Sequence, residues 1–310
     1  MKKLELRHFS YMGIADTTFR IYKRHFNLFF AITAIFFVIP IFIQKWAEWE
    51  FGIAQGYGTL IREVFWMDSA YGGYSPVNEI NPGTAFGCWI LTVVVHMCLN
   101  ALYAGPIILI TANILFDKEV NLRSAFRIRA LNYLRVFLVS IGYFVTLILC
   151  FMALTLPLSG LMTGMMILYC PPIGCFALFL PISVTLYLGI RWSLYMPAIV
   201  LEGWAGRGAV GRSTTLVRGK WWWSWRVILG VVVIQFLITF FSGYTFGLLN
   251  ELLLSWNPRL EVISQTITSA GLTLVHVFIR PLIFIALTLL FFDLKVQKEA
   301  YDLEVMIDKF

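Results

Sequence analysis

The sequence predicts an all-α, polytopic membrane protein with six transmembrane helices. Of its 310 residues, 59% are hydrophobic and 13% are charged, whereas soluble proteins have about 45–50% apolar and about 25% charged residues. The mean hydropathy of +0.79 agrees with a membrane protein, so most classes of soluble enzyme are excluded. The third observation is the distribution of lysine and arginine, which are concentrated between alternate apolar segments.

Six segments are long and apolar enough to cross a bilayer, which takes about 20 residues per helix. They are residues 26–43, 84–116, 135–156, 161–190, 227–250 and 262–292, with a short turn at 157–160. The second, fourth and sixth are longer than necessary and are expected to tilt or kink. Pro281 lies inside the sixth segment and removes the hydrogen bond to the carbonyl of Val277.

The lysine and arginine count predicts the orientation. With the N-terminus inside, the inner segments hold 20 of the 24 basic residues and the outer segments hold 3. Such an excess is typical of the cytoplasmic side, so both termini are expected on the cytoplasmic side of the membrane. The net charge of +7 is then an orientation signal that faces anionic lipids, and nucleic acid is not expected as a partner.

The segments before the first, third and fifth spans share one plan. They begin at Asp16, Ser124 and Ser213, which are good N-cap residues, and mix basic with apolar residues. Each is expected to form an interfacial helix. The chain then reads as a threefold repeat of interfacial helix and helical hairpin, although any protein with this charge bias shows a similar pattern. We expect one membrane domain over 1–310, with an outer loop at 44–83 and a tail at 293–310.

Polar residues inside the spans recur at helical spacing and predict a shared intramembrane polar site, because lipid makes unpaired polar groups costly. The candidate residues are His96, Asn100, Tyr103, Tyr187, Arg191, Gln265, Thr273, His276 and Arg280. Arg280 is the most costly of them. A charge inside the membrane is a functional candidate by default, although a structural role is the favoured interpretation of Arg280.

His96 and His276 are expected at similar depth near the midplane. Two opposed histidines are compatible with haem ligation, but two neutral side chains that form hydrogen bonds between helices are the favoured interpretation. No cofactor is predicted from this pair alone, and no metal site is expected.

A second group of candidates surrounds the tryptophan run before the fifth span. The pattern is typical of an aromatic belt at the lipid headgroups, and stacking on a headgroup or quaternary amine is the alternative. The candidate lipid contacts are Arg218, Lys220, Trp221, Trp222, Trp223, Trp225 and Arg226.

Two stretches resemble the glycerophosphoryl diester phosphodiesterase membrane-domain family, a set of prokaryotic six-span proteins. The first is Glu202-Gly with residues 209–223, and the second is the tail at 289–304, which departs from the family pattern at Gln297 and Ala300. The catalytic domain found in some members opens with His-Arg-Gly, which does not occur here. The resemblance therefore implies membrane topology and a location in a prokaryotic inner membrane, and not phosphodiesterase activity.

No common catalytic pattern such as GxSxG, HExxH, CxxC or a P-loop occurs in the sequence. We therefore expect a non-enzymatic protein that acts as a scaffold or accessory subunit, with membrane lipids and membrane proteins or a second copy as partners. A transporter or lipid-handling protein that uses the polar site is the alternative, and a haem or pigment carrier is a weaker one.

Overall fold

A computed structural model describes residues 11–36, 102–118, 120, 130–167, 171–257 and 261–299. Regular structure in these ranges is helical throughout, without a strand, which confirms the all-α class. The chain divides into two compact units, one of residues 1–33 and 101–310 and the other of residues 34–100. The packing described here belongs to the first unit.

The helices are labelled in chain order. Their bounds are α1 (Tyr11–Arg24), α2 (Phe26–Phe36), α3 (Leu102–Leu115), α4 (Ala130–Ile167), α5 (Pro171–Trp192), α6 (Tyr195–Glu202), α7 (Arg207–Val217), α8 (Trp221–Trp256) and α9 (Glu261–Glu299).

Four stretches of the described residues are long and apolar enough to cross a membrane. They are Leu131–Thr155, Phe179–Glu202, Trp221–Trp256 and Ala270–Glu299. The first two expected spans are described only over Phe26–Phe36 and Leu102–Leu115, so a six-span protein and its repeat stay predictions. Large apolar side chains project outward along α8, as expected of a helix that faces lipid, and Phe236, Phe241 and Leu252 are 60–68% exposed.

The predicted turn between the third and fourth spans is wrong. Residues 157–160 continue α4, which ends at Ile167, and α5 begins at Pro171. A proline inside a transmembrane helix is tolerated because neighbouring groups can satisfy the freed backbone carbonyl. A proline in the first turn of a helix removes no helical hydrogen bond, because its N–H position would have no helical partner there. A helix therefore begins more readily at the Pro171–Pro172 pair than at residues 157–160.

Helices α8 and α9 form an antiparallel hairpin. Trp223 lies beside Asp293 at one end, Gln235 reaches Ile279 in the middle, and Asn250 bonds Ser264 at the other end. The 28 residues from Trp223 to Asn250 correspond to about 40 Å of helix. This length matches a bilayer with its headgroup regions, which measures about 40–45 Å.

The core of the first unit surrounds the second half of α9. Residues 284–294 of this helix are all buried, and Tyr103 of α3 packs edge-on against Phe284 at 5.4 Å between ring centroids. Helix α1 packs on the hairpin through one face, on which Ile14 is fully buried, while Arg20 and Asp16 on the opposite face are exposed. This face-dependent burial is what an amphipathic sequence produces.

The predicted N-cap positions at Asp16 and Ser213 are wrong. Helix α1 begins before Asp16, which forms an ion pair with Arg20 one turn later, and α7 begins before Ser213. The Ser213 hydroxyl instead accepts a bond from the backbone N–H of Leu194 and donates to the carbonyl of Arg191, both at 3.0 Å. It therefore satisfies backbone groups between α5 and α6, a contact that no local pattern predicts.

Candidate functional site

Four ionisable residues form a network at the end of the bundle where α6, α7 and α9 meet. Arg212 binds Glu202 through two hydrogen bonds, from Nε at 2.7 Å and from Nη2 at 2.9 Å, and also binds both carboxylate oxygens of Glu299. Lys295 lies 2.7 Å from the Glu202 carboxylate. We call these residues the Arg212 network.

The local sequence explains how the network is positioned. Gly203 ends α6 in the left-handed conformation with φ of 76°, which glycine adopts without steric cost. The chain then turns, so that α7 runs back beside the end of α6 and Arg212 faces Glu202. Lys295 and Glu299 are four residues apart on α9 and therefore share one helical face.

The network is electrostatically balanced, because two cations face two carboxylates. Its side chains are only 13–32% exposed, so their charges are screened less than those of an exposed pair. Hydrogen bonds to Glu202 and then to Glu299 raise the pKa of Arg212 above its usual value. Partly buried charges of this kind are tolerated when they are paired and hydrogen-bonded, and the result is a fixed arrangement of three helices.

Further contacts fasten α9 to the same region. The Lys298 ammonium group donates to the carbonyls of Thr215 and Arg218, both at 2.5 Å, at the end of α7. Helix ends have carbonyls without helical partners, and a cation there also complements the helix dipole. The indole N–H of Trp223 donates to the buried carboxyl of Asp293 at 2.9 Å, which links the start of α8 to α9.

The predicted lipid contacts lie at the start of α8. Trp222 is 70% exposed, and Arg218, Lys220 and Arg226 are exposed as well. Trp221 stacks on Trp225 with ring centroids 6.0 Å apart. The start of α8 therefore presents an exposed indole together with exposed cations, whereas the Trp223 side chain is bonded to Asp293 inside the fold.

The candidate intramembrane residues fall into four groups. Tyr103, fully buried on α3, is hydrogen-bonded to Arg280 of α9. Tyr187 and Arg191 contact each other, with 3.3 Å between Arg191 Nη1 and the phenol oxygen, and Trp221 donates to the Tyr187 carbonyl. His96, Asn100 and the side chain of Gln265 lie outside the described residues.

The remaining two candidates, His276 and Thr273, are partly buried on α9. The Nδ1 atom of His276 lies 2.8 Å from the carbonyl of Leu272 in its own helix. In a neutral imidazole, a bond to this carbonyl places the proton on Nδ1 and leaves Nε2 as an acceptor. Haem ligation by His276 with His96 stays a prediction, because His96 is not described.

Two polar side chains stabilise the backbone of α9 just before Pro281. Tyr22 donates to the carbonyl of Phe278 at 2.6 Å, and Gln235 donates to the carbonyl of Ile279 at 2.9 Å. A proline disturbs the helical hydrogen bonds of the preceding turn, and side chains from neighbouring helices satisfy the carbonyls there. Arg280 therefore follows a turn that is fixed from two sides.

The sequence patterns do not indicate Gln235, Tyr22 or Arg212 as key residues. Gln235 carries a weak signal, because it is a polar residue inside the apolar run of α8. Arg212 carries none of its own, since it is one of several arginines in a basic segment. Their partners lie 44, 256 and 87 residues away in sequence, respectively, and only the fold brings them together.

Comparisons with protein-family models, with curated proteins and with solved structures find no match for this chain. They therefore add no family, fold or activity to the geometry. The two stretches that carry the family resemblance do meet in the Arg212 network, since Glu202 and Arg212 belong to the first and Lys295 and Glu299 to the second.

Proposed function

We propose that this chain is a non-enzymatic membrane protein of a prokaryotic inner membrane that acts as a scaffold or accessory subunit. It has six spans and cytoplasmic termini, as the charge distribution predicts. The observation that carries the proposal is the Arg212 network, which joins α6, α7 and α9 into one fixed platform. The ionisable groups of this platform are bonded to one another, which favours a structural role over a catalytic one.

The platform has properties that suit assembly. Beside it, exposed Trp222 and the cations of the α8 start present an aromatic and positively charged surface. Aromatic residues and arginine are enriched in protein interfaces, and a rigid surface loses little entropy when it binds. A membrane-protein partner or a second copy of the chain fits such a surface.

The test is the mass of the assembly that leaves the native membrane. The tagged chain is crosslinked in intact membranes, extracted in mild detergent and measured by light scattering and mass spectrometry. We expect the wild-type protein to form a defined species heavier than the 35.5 kDa chain. The Arg212→Leu variant is expected to lose this species, and the Arg20→Gln variant is expected to keep it. A chain that is alone both before and after extraction contradicts the scaffold proposal.

A second candidate, a transporter or lipid-handling protein, is favoured by the contact of Tyr103 with Arg280 inside the bundle. An arginine within an apolar bundle is a costly group that often marks a substrate path. If Tyr103→Phe and Arg280→Leu fold with normal yield and melting midpoint but fail to complement a deletion strain, this candidate is supported. A parallel loss of folded protein supports a structural role for both residues.

A further inference from the structure

An apolar crevice runs between α1, α8 and α9. Its walls include Ile14 and Phe19 of α1, Val227 and Gly230 of α8, and Leu282 of α9. Gly230 has no side chain to fill the space between the helices. The crevice is partly enclosed, and the wall residues are aliphatic or aromatic almost throughout.

The hydroxyl group of Thr18 in the crevice wall is already bonded within its own helix. Thr18 contributes to the lining, but its hydroxyl donates to the carbonyl of Ile14 in its own helix at 2.7 Å. A threonine bonded in this way presents its methyl group to the surroundings. The walls therefore favour an apolar occupant and offer little to a polar one.

The crevice lies beside the outward apolar surface of α8. Leu229, Val233 and Leu237 of this helix are 38–44% exposed, and they alternate with the residues that line the crevice. In a membrane protein, such a surface faces acyl chains.

A cation directly precedes the crevice-lining residues of α8 in the sequence. Arg226 directly precedes Val227 and is exposed. Its Nε donates to the carbonyl of Trp222 at 3.4 Å, and its guanidinium carbon lies 5.5 Å from the centre of the Trp223 ring. These contacts use Nε and the face of the guanidinium, and within the part of the chain that the structure describes its two terminal amino groups have no hydrogen-bond partner. Arginine binds phosphate through two such groups at once.

We propose that the crevice binds one acyl chain of an anionic phospholipid whose phosphate group contacts Arg226. The apolar walls and the neighbouring cation match the two parts of such a lipid. Lipid in this position fills the gap left by Gly230 and ties α1 to the hairpin. The proposal concerns a lipid and not a protein partner, and its test does not require an assembly.

The experiment measures lipid retained by the full chain after reconstitution in nanodiscs of phosphatidylcholine and phosphatidylglycerol. The protein is released into mild detergent, and the bound lipids are identified and counted by native mass spectrometry. We expect the wild-type chain to retain phosphatidylglycerol in preference to phosphatidylcholine, with one molecule bound more firmly than the others.

Gly230→Leu fills the crevice and is expected to weaken this retention about tenfold, which corresponds to the loss of about two buried methylene groups. Gly243→Leu is the matched control on the same helix, because an added Cβ there meets nothing within 4 Å. Arg226→Gln is expected to keep lipid but to lose the preference for phosphatidylglycerol, whereas Arg207→Gln, at an exposed position outside the crevice lining, keeps it.

Three results overturn the proposal. The first is a wild-type chain that retains no lipid or retains both lipids equally. The second is retention by Gly230→Leu that equals the retention by Gly243→Leu. The third is an unchanged preference in Arg226→Gln. If Gly230→Leu does not fold, Ala15→Leu fills the same crevice from α1 and gives the same test.

Discussion

Replacing Arg212 by methionine is expected to destabilise the protein substantially, because Arg212 forms hydrogen bonds to two carboxylates at once. Methionine keeps much of the side-chain volume and removes the charge. The change leaves Glu202 with Lys295 as its ion-pair partner and removes the Arg212 contact from Glu299. Two like charges that shared one cation then lie close together in a partly buried place.

The magnitude follows from the burial of the pair. Breaking a fully buried ion pair costs about 3–5 kcal/mol, and an exposed pair contributes less than about 1 kcal/mol. The network side chains are 13–32% exposed, so we expect a loss of about 2–3 kcal/mol, nearer the buried case. This loss corresponds to a decrease of roughly 4–10 °C in the melting midpoint.

The assay is thermal unfolding in mild detergent, followed by circular dichroism. The exposed pair of Arg20 with Asp16, whose side chains are 69% and 65% exposed, supplies the control. Arg20→Gln is expected to shift the midpoint by about 1 °C, since pairs one helical turn apart contribute about 0.3–0.5 kcal/mol.

A double-mutant cycle of Arg212→Met with Glu299→Gln isolates the contact between the two side chains. We expect a coupling energy of about 1–2 kcal/mol, as for residues in one hydrogen-bond network. A midpoint for Arg212→Met that equals that of Arg20→Gln, or a coupling energy near zero, refutes the view that the network fastens α7 to α9.

Two further changes test the packing of α9. Gly271→Ala is expected to cost about 1–3 kcal/mol, because an added Cβ overlaps the Phe246 ring on α8, and thermal unfolding measures it. Trp223→Phe is expected to cost about 1–3 kcal/mol, because the buried carboxyl of Asp293 loses a hydrogen-bond donor, and the same unfolding experiment measures this loss.

Each of these changes has a matched control in the chain. Gly243→Ala introduces the same methyl group on α8 where nothing lies within 4 Å, and it is expected to stabilise the helix slightly. Trp222→Phe alters a neighbouring indole that is 70% exposed and should leave the midpoint unchanged. A loss in either control that equals the loss in the corresponding test variant contradicts the assigned contacts.

Much of the candidate site could not be predicted from the sequence. The tail at 293–310 begins with charged residues and the segment at 207–226 is basic, and the ion pair of Glu299 with Arg212 joins the two. The role of Arg212 between two carboxylates was not foreseen, because the segment offers several arginines with similar local surroundings. Which arginine faces the two carboxylates depends on the turn at Gly203, because this turn directs α7 along α6.

The sequence by itself determines the class of this protein. Runs of apolar residues about 20 long form helices because lipid offers no partner for an exposed backbone, and this condition depends only on local composition. The helices α4, α5, α8 and α9 follow from it.

Only the tertiary structure decides which polar groups meet. Ser213 bonds the backbone between α5 and α6, Gln235 supports the turn before Pro281, and Tyr103 reaches Arg280. These partners are far apart in the sequence, and the packing of whole helices determines which of them meet. The physical reason is that a polar side chain in an apolar bundle binds whatever complementary group the packed helices bring within reach.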